Sequence, residues 1–282
     1  MGCTASKKNA EGNYNPSCLT IMLATSKMSD YKTSNPKDKY TGTKPILVVC
    51  TDEGIMEMKN GKNFNTGNHP IEMLVPMLHF RDAGFKFDIA TEHGNRVVLE
   101  MWAFPDNDKN VMDMHEEVKP MMANPKKISD IKNLDDYAAI FIPGGHGVMI
   151  NLPKSVALGR LLNIAHDRAL PTVTLCHGPA VFLSTNLPGT DRIDNAYKGY
   201  KTMCFTDSTD AFTPSVGYLP GPMPWKCQEM IEAQGVTVVN KAEKGEVIAD
   251  RELISGDSPA AAQNLGVLAA PLLVKYAKAN GL

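Results

Sequence analysis

The chain alternates between short, unbroken apolar runs and longer stretches whose apolar residues recur at helical spacing. Pro45-Ile46-Leu47-Val48-Val49-Cys50 is apolar throughout and runs into Thr51-Asp52-Glu53-Gly54, which predicts a buried parallel strand followed by a loop at the sheet's functional edge. Gly67-Asn68-His69-Pro70 then opens a predicted helix to about Ala83, with Pro70 in its first turn and Ile71, Leu74, Val75 and Leu78 on one stripe. Gly84 closes that helix, and Phe85 to Thr91 alternates as a second strand. Ala138 to Ile142 reads as the next strand, ending in Pro143-Gly144-Gly145-His146-Gly147 and leading to a helix through about Arg168. The β-branched run Pro171-Thr172-Val173-Thr174 enters Leu175-Cys176-His177-Gly178-Pro179-Ala180, with a helix expected from Ala180. Further strands are expected at Tyr200 to Phe205, Val236 to Val239 and Leu253 to Gly256, with a helix near Lys226 to Ala233. Ser258 is expected to cap a last helix to about Ala277, which Pro271 should kink or break.

Repeated strand–helix alternation predicts an α/β fold, a doubly wound flavodoxin-like sandwich. Ligands in such folds sit at the carboxyl ends of the strands, so the loops after Cys50, Ile142, Leu175 and Phe205 should meet there. Residues 1–43 are polar and read as an N-terminal arm, and residues 44–282 as the catalytic domain. Within it the less regular segment of about 97–135, with Trp102, many Met residues and an acidic helix near Asp108 to Met122, reads as a cap inserted outside the sheet.

Composition narrows the function. The 282 residues are 43% hydrophobic, enough for one large core, and the net charge of −2 mixes both signs without a basic block, which argues against nucleic acid as a partner. The six cysteines form no CxxC pair, which fits a reduced, cytoplasmic protein. No apolar run reaches membrane-spanning length, and the first thirty residues lack the order of a secretory signal. Met1-Gly2-Cys3-Thr4-Ala5-Ser6 does match the myristoylation pattern, with Cys3 as a palmitoyl acceptor and Lys7 and Lys8 able to touch anionic lipid. The terminus is therefore either a peripheral membrane anchor or a plain polar tail.

The chemistry centres on Cys176. A cysteine on a tight strand-to-helix turn is held out of the sheet, at a helix N-terminus whose free N–H groups favour the reactive thiolate. His177 can act as base or proton shuttle, Asp210 can hold its tautomer, and Glu72, one turn into its helix, can face the sulfur. Gly144 and Gly145 offer backbone N–H groups for an oxyanion. The plain alternatives are a buried structural cysteine, a solvated Glu72 and simple turns at Asp210 and the glycines.

These motifs, together with Phe64-Asn65-Thr66-Gly67-Asn68-His69-Pro70-Ile71-Glu72 and Ser255-Gly256-Asp257-Ser258-Pro259, resemble the HchA-like branch of the ThiJ/PfpI superfamily, the glutathione-independent glyoxalase III and holding-chaperone group. The resemblance spans about Tyr40 to Ala277. It implies a triad on Cys176, His177 and Asp210, an acidic partner at Glu72, and a homodimer. The activity it implies is conversion of methylglyoxal to lactate through a cysteine hemithioacetal, with Glu72 or His177 moving the proton. A protein deglycase or peptidase would use the same triad on glycated or peptide substrates. A holding chaperone for unfolded proteins would instead use the Met-rich cap and the arm. Members of this branch can bind a metal through two histidines and a carboxylate. The corresponding positions here hold Arg81, Lys86 and Val118, so no metal or other cofactor is expected, with His79, His115 and Glu116 as a makeshift alternative.

Overall fold

A computed structural model describes residues 5–24, 27–34 and 36–282. Gly2 and Cys3, the expected acylation sites, lie outside the described residues. Seven strands form the central sheet: β1 (Ile46–Val49), β2 (Phe87–Thr91), β3 (Lys126–Lys127), β4 (Ala139–Ile142), β5 (Thr172–Leu175), β6 (Val247–Asp250) and β7 (Leu253–Gly256). Their order is β6-β7-β5-β4-β1-β2-β3, parallel except for the antiparallel β6–β7 pair at one edge. Besides the single turn Val148–Asn151, the α-helices among the described residues are α1 (Cys18–Ala24), α2 (Pro70–Asp82), α3 (Lys109–Ala123), α4 (Val156–Asp167), α5 (Asp207–Phe212), α6 (Cys227–Ala233) and α7 (Ala262–Ala279).

Strand alternation divides the interior into two cores. Ile46, Val48 and Cys50 point into one, against Leu74 and Leu78 of α2, Val118 of α3 and Leu273 of α7. Leu47 and Val49 point into the other, against Leu158 and Leu162 of α4 and Ile231 of α6. An apolar run on every position of β1 is what a strand covered on both faces needs. The same logic governs α2, where every residue from Pro70 to Phe80 is buried, because the sheet, α3 and α7 enclose it. Glu72 and His79 therefore lie in the interior, and the single-stripe reading of this helix fails.

Other expectations need correcting. Residues 97–135 do not all stand outside the sheet: Lys126–Lys127 is its edge strand, and α3 packs its Val111, Met114 and Val118 into the first core. The segment after the elbow is a 3₁₀ turn, Gly178–Ser184, rather than an α-helix. Side chains there take the carbonyls that an α-helix would use. Thr185 Oγ1 and Asn195 Nδ2 donate to Phe182 O at 2.8 and 2.7 Å, and Ser184 Oγ donates to Val181 O at 2.7 Å. The strand expected at Tyr200 to Phe205 shrinks to Lys201–Thr202, which pairs with Thr237–Val238 apart from the main sheet. It stops because Met203 N bonds Ser255 Oγ, Cys204 N bonds Asn240 Oδ1 and Phe205 N bonds Cys176 O. Ser258 makes no side-chain cap, and its hydroxyl donates instead to Asp257. Pro271 does not end α7, since the carbonyl it orphans one turn back belongs to exposed Val267.

The arm is tied down where it is described. Tyr14–Asn15 joins a small sheet with Ile55–Glu57 and Asn63–Asn65, and the chain into α1 is pinned by Ser17 N to Gly217 O and Thr20 Oγ1 to Val216 O. Among the described residues no helix is long and apolar enough to cross a membrane.

Candidate active site

Cys176 is the first residue past β5 and one of four described non-glycine residues with positive φ, at +57°. That left-handed backbone is costly for a side-chain-bearing residue and persists because it is anchored on both sides. Cys176 N donates to Gly256 O on β7, and Cys176 O accepts from Phe205 N, each at 3.0 Å. The truncated strand near Phe205 is thus part of what holds the elbow.

The sulfur begins a chain of charge-bearing groups. Cys176 Sγ lies 3.3 Å from His177 Nδ1, and His177 Nε2 lies 2.9 Å from Asp210 Oδ2. Burial pushes the Asp210 carboxyl up, but His177 and His146 outweigh it and keep it well below the usual range. Both histidines accordingly present Nε2–H to the carboxylate, which leaves His177 Nδ1 as an acceptor for the thiol proton. His146 is the member sequence reasoning missed. Its Nε2 sits 2.9 Å from Asp210 Oδ1, so the two imidazoles share one carboxylate. A histidine in the loop at the carboxyl end of β4, directly behind two glycines, was the available signal.

Glu72 faces the sulfur from α2 and is fully enclosed. Burial pushes its carboxyl well above the usual range, the neighbouring Glu100 and Asp257 add to this, and the Cys176 thiol and Gly144 N–H oppose it. Neither opposing donor reaches good hydrogen-bond geometry, and both carboxyl oxygens lack a partner. Burial therefore favours the neutral acid at Glu72. Burial also pushes the Cys176 thiol well up, a Glu72 carboxylate would push it further, and Gly145 N–H pulls it down. The expectation that the turn alone favours the thiolate is not met. The carboxylate's opposition vanishes once Glu72 is protonated, and a carboxylic acid can then donate to sulfur.

The glycine pair divides its labour. Gly145 N–H faces the sulfur and Gly144 N–H faces Glu72, so only the first is placed as an oxyanion donor. A Cβ on Gly144 would overlap the Glu72 carboxyl and fall 2.7 Å from Cys176 Cβ. At Gly145, with φ of +102°, it would lie 2.6 Å from His69 N.

Cys176, His177, Glu72 and His146 open onto a cavity of about 380 Å³ whose wall also includes His69, Glu100, Trp102 and Tyr218. Trp102 packs against Tyr218, with Nε1 donating to Asn65 O, so it belongs to the cavity wall. Met114 and Met122 also lie in the core, whereas Met101 and Met112 of the same segment and Met22 and Met28 of the arm are exposed.

The metal position implied by the resemblance does not fit a metal. Val118 is buried in the core and Arg81 pairs with Glu117. His79 bonds Ser34 and Gln263, and His115 packs on Phe104 beside Glu116, so the makeshift trio is not brought together among the described residues. His146, His177 and Asp210 do converge, but both Nε2 atoms are engaged by the carboxylate.

An α/β sandwich carrying a cysteine elbow backed by a His–Asp pair defines a class of cysteine-centred proteins. The DJ-1/PfpI family model matches residues 64–202, and the chain belongs to that family, in its HchA-like branch. It is 42% identical over 281 residues to the protein/nucleic acid deglycase HchA of Pseudomonas aeruginosa (strain UCBPP-PA14), spanning 96% of each chain. It is 41% identical over 274 residues to the Escherichia coli O157:H7 protein of the same name, spanning 95% of each. Among solved structures, glyoxalase III from Candida albicans aligns with a TM-score of 0.65 at 23% identity, covering 81% of this chain and 97% of that one, a likeness of fold.

Proposed function

We propose that this protein is a cysteine-dependent enzyme of α-oxoaldehydes that converts methylglyoxal to lactate without glutathione. The observation that carries this reading is the Cys176–His177–Asp210 chain closed at 3.3 and 2.9 Å, with the buried Glu72 carboxyl facing the same sulfur. His177 Nδ1 takes the thiol proton, and the thiolate adds to the aldehyde carbon C1. The oxygen that becomes negative lies near Gly145 N–H and takes the Glu72 proton, giving a neutral hemithioacetal. Glu72, now a carboxylate, removes the C1 hydrogen to form an enediolate and returns that proton to C2, while the C1 hydroxyl proton passes to the C2 oxygen and leaves the thioester carbonyl. Water, yielding one proton to the Glu72 carboxylate, hydrolyses the resulting thioester, and the thiolate recovers its proton from His177.

The names of the curated relatives favour a second reading on the same machinery, removal of early glycation adducts from macromolecules. The test is a glutathione-free, amine-free assay on methylglyoxal, with the product identified, beside one on hemithioacetal and aminocarbinol adducts. Lactate from free methylglyoxal supports the first reading, whereas release restricted to adducts favours the second.

Finer expectations from the sequence are proposals here too: an arm of residues 1–43 on a catalytic domain of 44–282, a homodimer, a cytoplasmic location and acylation at Gly2 and Cys3. Sedimentation and the intact mass of protein from its native host test the dimer and the acylation.

A further inference from the structure

The cavity holds a second buried glutamate that the steps above do not use. Glu100 is 1% exposed and belongs to a segment stitched against the start of α2. Asn68 N donates to Val98 O at 2.8 Å, and Glu100 N donates to Asn68 O at 2.9 Å. This fixes Glu100 and Glu72 as two acids on one cavity wall, carried by separate segments. Thr66 Oγ1 donates to Glu100 Oε1 at 2.7 Å, and the main-chain N–H of His146 also faces the carboxyl. No lysine or arginine lines the cavity among the described residues. The titratable groups on the same cavity wall are His69, Glu72, His146, Cys176, His177, Tyr218 and Glu243, and His146 opposes the upward push of burial on the Glu100 carboxyl.

We infer that Glu100 is a second catalytic acid, which protonates the C2 oxygen of the substrate while Glu72 works at C1. The inference rests on the proposed glyoxalase reading. The isomerisation needs two proton carriers, because the C2 oxygen must gain a proton in the same step that C1 loses one. As Glu72 takes the C1 hydrogen, that C–H pair becomes the C1=C2 double bond and the C2=O π pair takes the Glu100 proton. On collapse C2 takes the proton from Glu72, the C1 hydroxyl returns its proton to Glu100, and C1=O forms the thioester. Each group leaves the isomerisation as it entered it, Glu72 as a carboxylate and Glu100 as an acid, so no co-reactant is consumed.

Burial supports this assignment, since it raises the Glu100 carboxyl to about 7, where an acid can both hold and transfer a proton near neutral pH. Glu100 must be protonated at the start, so kcat should fall as pH rises through that range. In the full-length protein, Glu100→Gln should lower kcat about 100-fold with KM little changed and abolish the limb near pH 7. The rate at which iodoacetamide alkylates Cys176 should stay as in the wild type, a readout that a merely structural role would move. Thr66→Val removes a donor to the carboxylate and should shift the limb to higher pH. An E100Q protein with wild-type kcat and an intact limb overturns the inference, as does a parallel loss of alkylation rate. Absence of lactate from the wild-type protein overturns the glyoxalase reading and this inference with it; normal wild-type turnover beside an unaffected E100Q overturns Glu100 alone.

Discussion

Glu72 and Cys176 occupy a site where neither charge is tolerated alone, because burial raises both groups and each carboxylate or thiolate opposes the other. Their usefulness lies in sharing: one proton placed on Glu72 allows one negative charge on sulfur, with His177 accepting the proton released. Glu72→Gln keeps the shape and a donor but cannot exchange a proton. We expect kcat to fall about 100-fold or more while KM changes little. Steady-state kinetics on methylglyoxal check this, and a variant with normal kcat would leave the proton relay to His177. Cys176 and His177 were legible in the sequence because a reactive pair on a strand-to-turn junction has a local signature. Glu100 and Tyr218 were not, since they lie in stretches without helical or strand periodicity and reach the cavity only through tertiary contacts.

At the scale of elements, the site depends on backbone passing close to backbone. The loop after β4 runs between the start of α2 and the elbow, and Gly144 is the residue with no room for a Cβ against Glu72 and Cys176. Gly144→Ala should displace one of those side chains, destabilise the fold by about 1–3 kcal/mol and lower kcat at least tenfold. Denaturant unfolding and kinetics on one preparation measure both, and a variant with wild-type stability and rate would refute this account of the loop. The burial of β1 on both faces followed from its unbroken apolar run. The shortened strands did not, because the partners that interrupt them, Ser255, Asn240 and the Cys176 carbonyl, are far away in sequence. The same holds for the 3₁₀ turn after the elbow. Its sequence fits a helix, and the tertiary donor Asn195 claims one of the carbonyls.

For the whole molecule, the buried acids tie stability to pH. Glu100 is raised to about 7 in the fold and returns to the ordinary carboxylate range on unfolding, so the folded state binds its proton more tightly. Its contribution to stability is full below about pH 4.5 and is lost as pH rises to about 7, a change of about 3 kcal/mol. Asp210 acts oppositely: it is held low in the fold, so its contribution is present above the ordinary aspartate range and is lost in acid. The difference between wild type and Glu100→Gln isolates the first effect. E100Q should match the wild type near pH 4.5 and exceed it by about 1–3 kcal/mol at pH 8, as read from urea midpoints. A gap independent of pH would refute the assignment of Glu100 as a protonated buried acid. The account as a whole stands on covalent chemistry at Cys176. Its most direct test is lactate formation from methylglyoxal in glutathione-free, amine-free buffer, by the wild type and by Cys176→Ala shown to be folded by circular dichroism. The account predicts lactate equal to the methylglyoxal consumed by the wild type, and at least about a 1,000-fold lower rate for the variant. Comparable lactate formation by Cys176→Ala would contradict it.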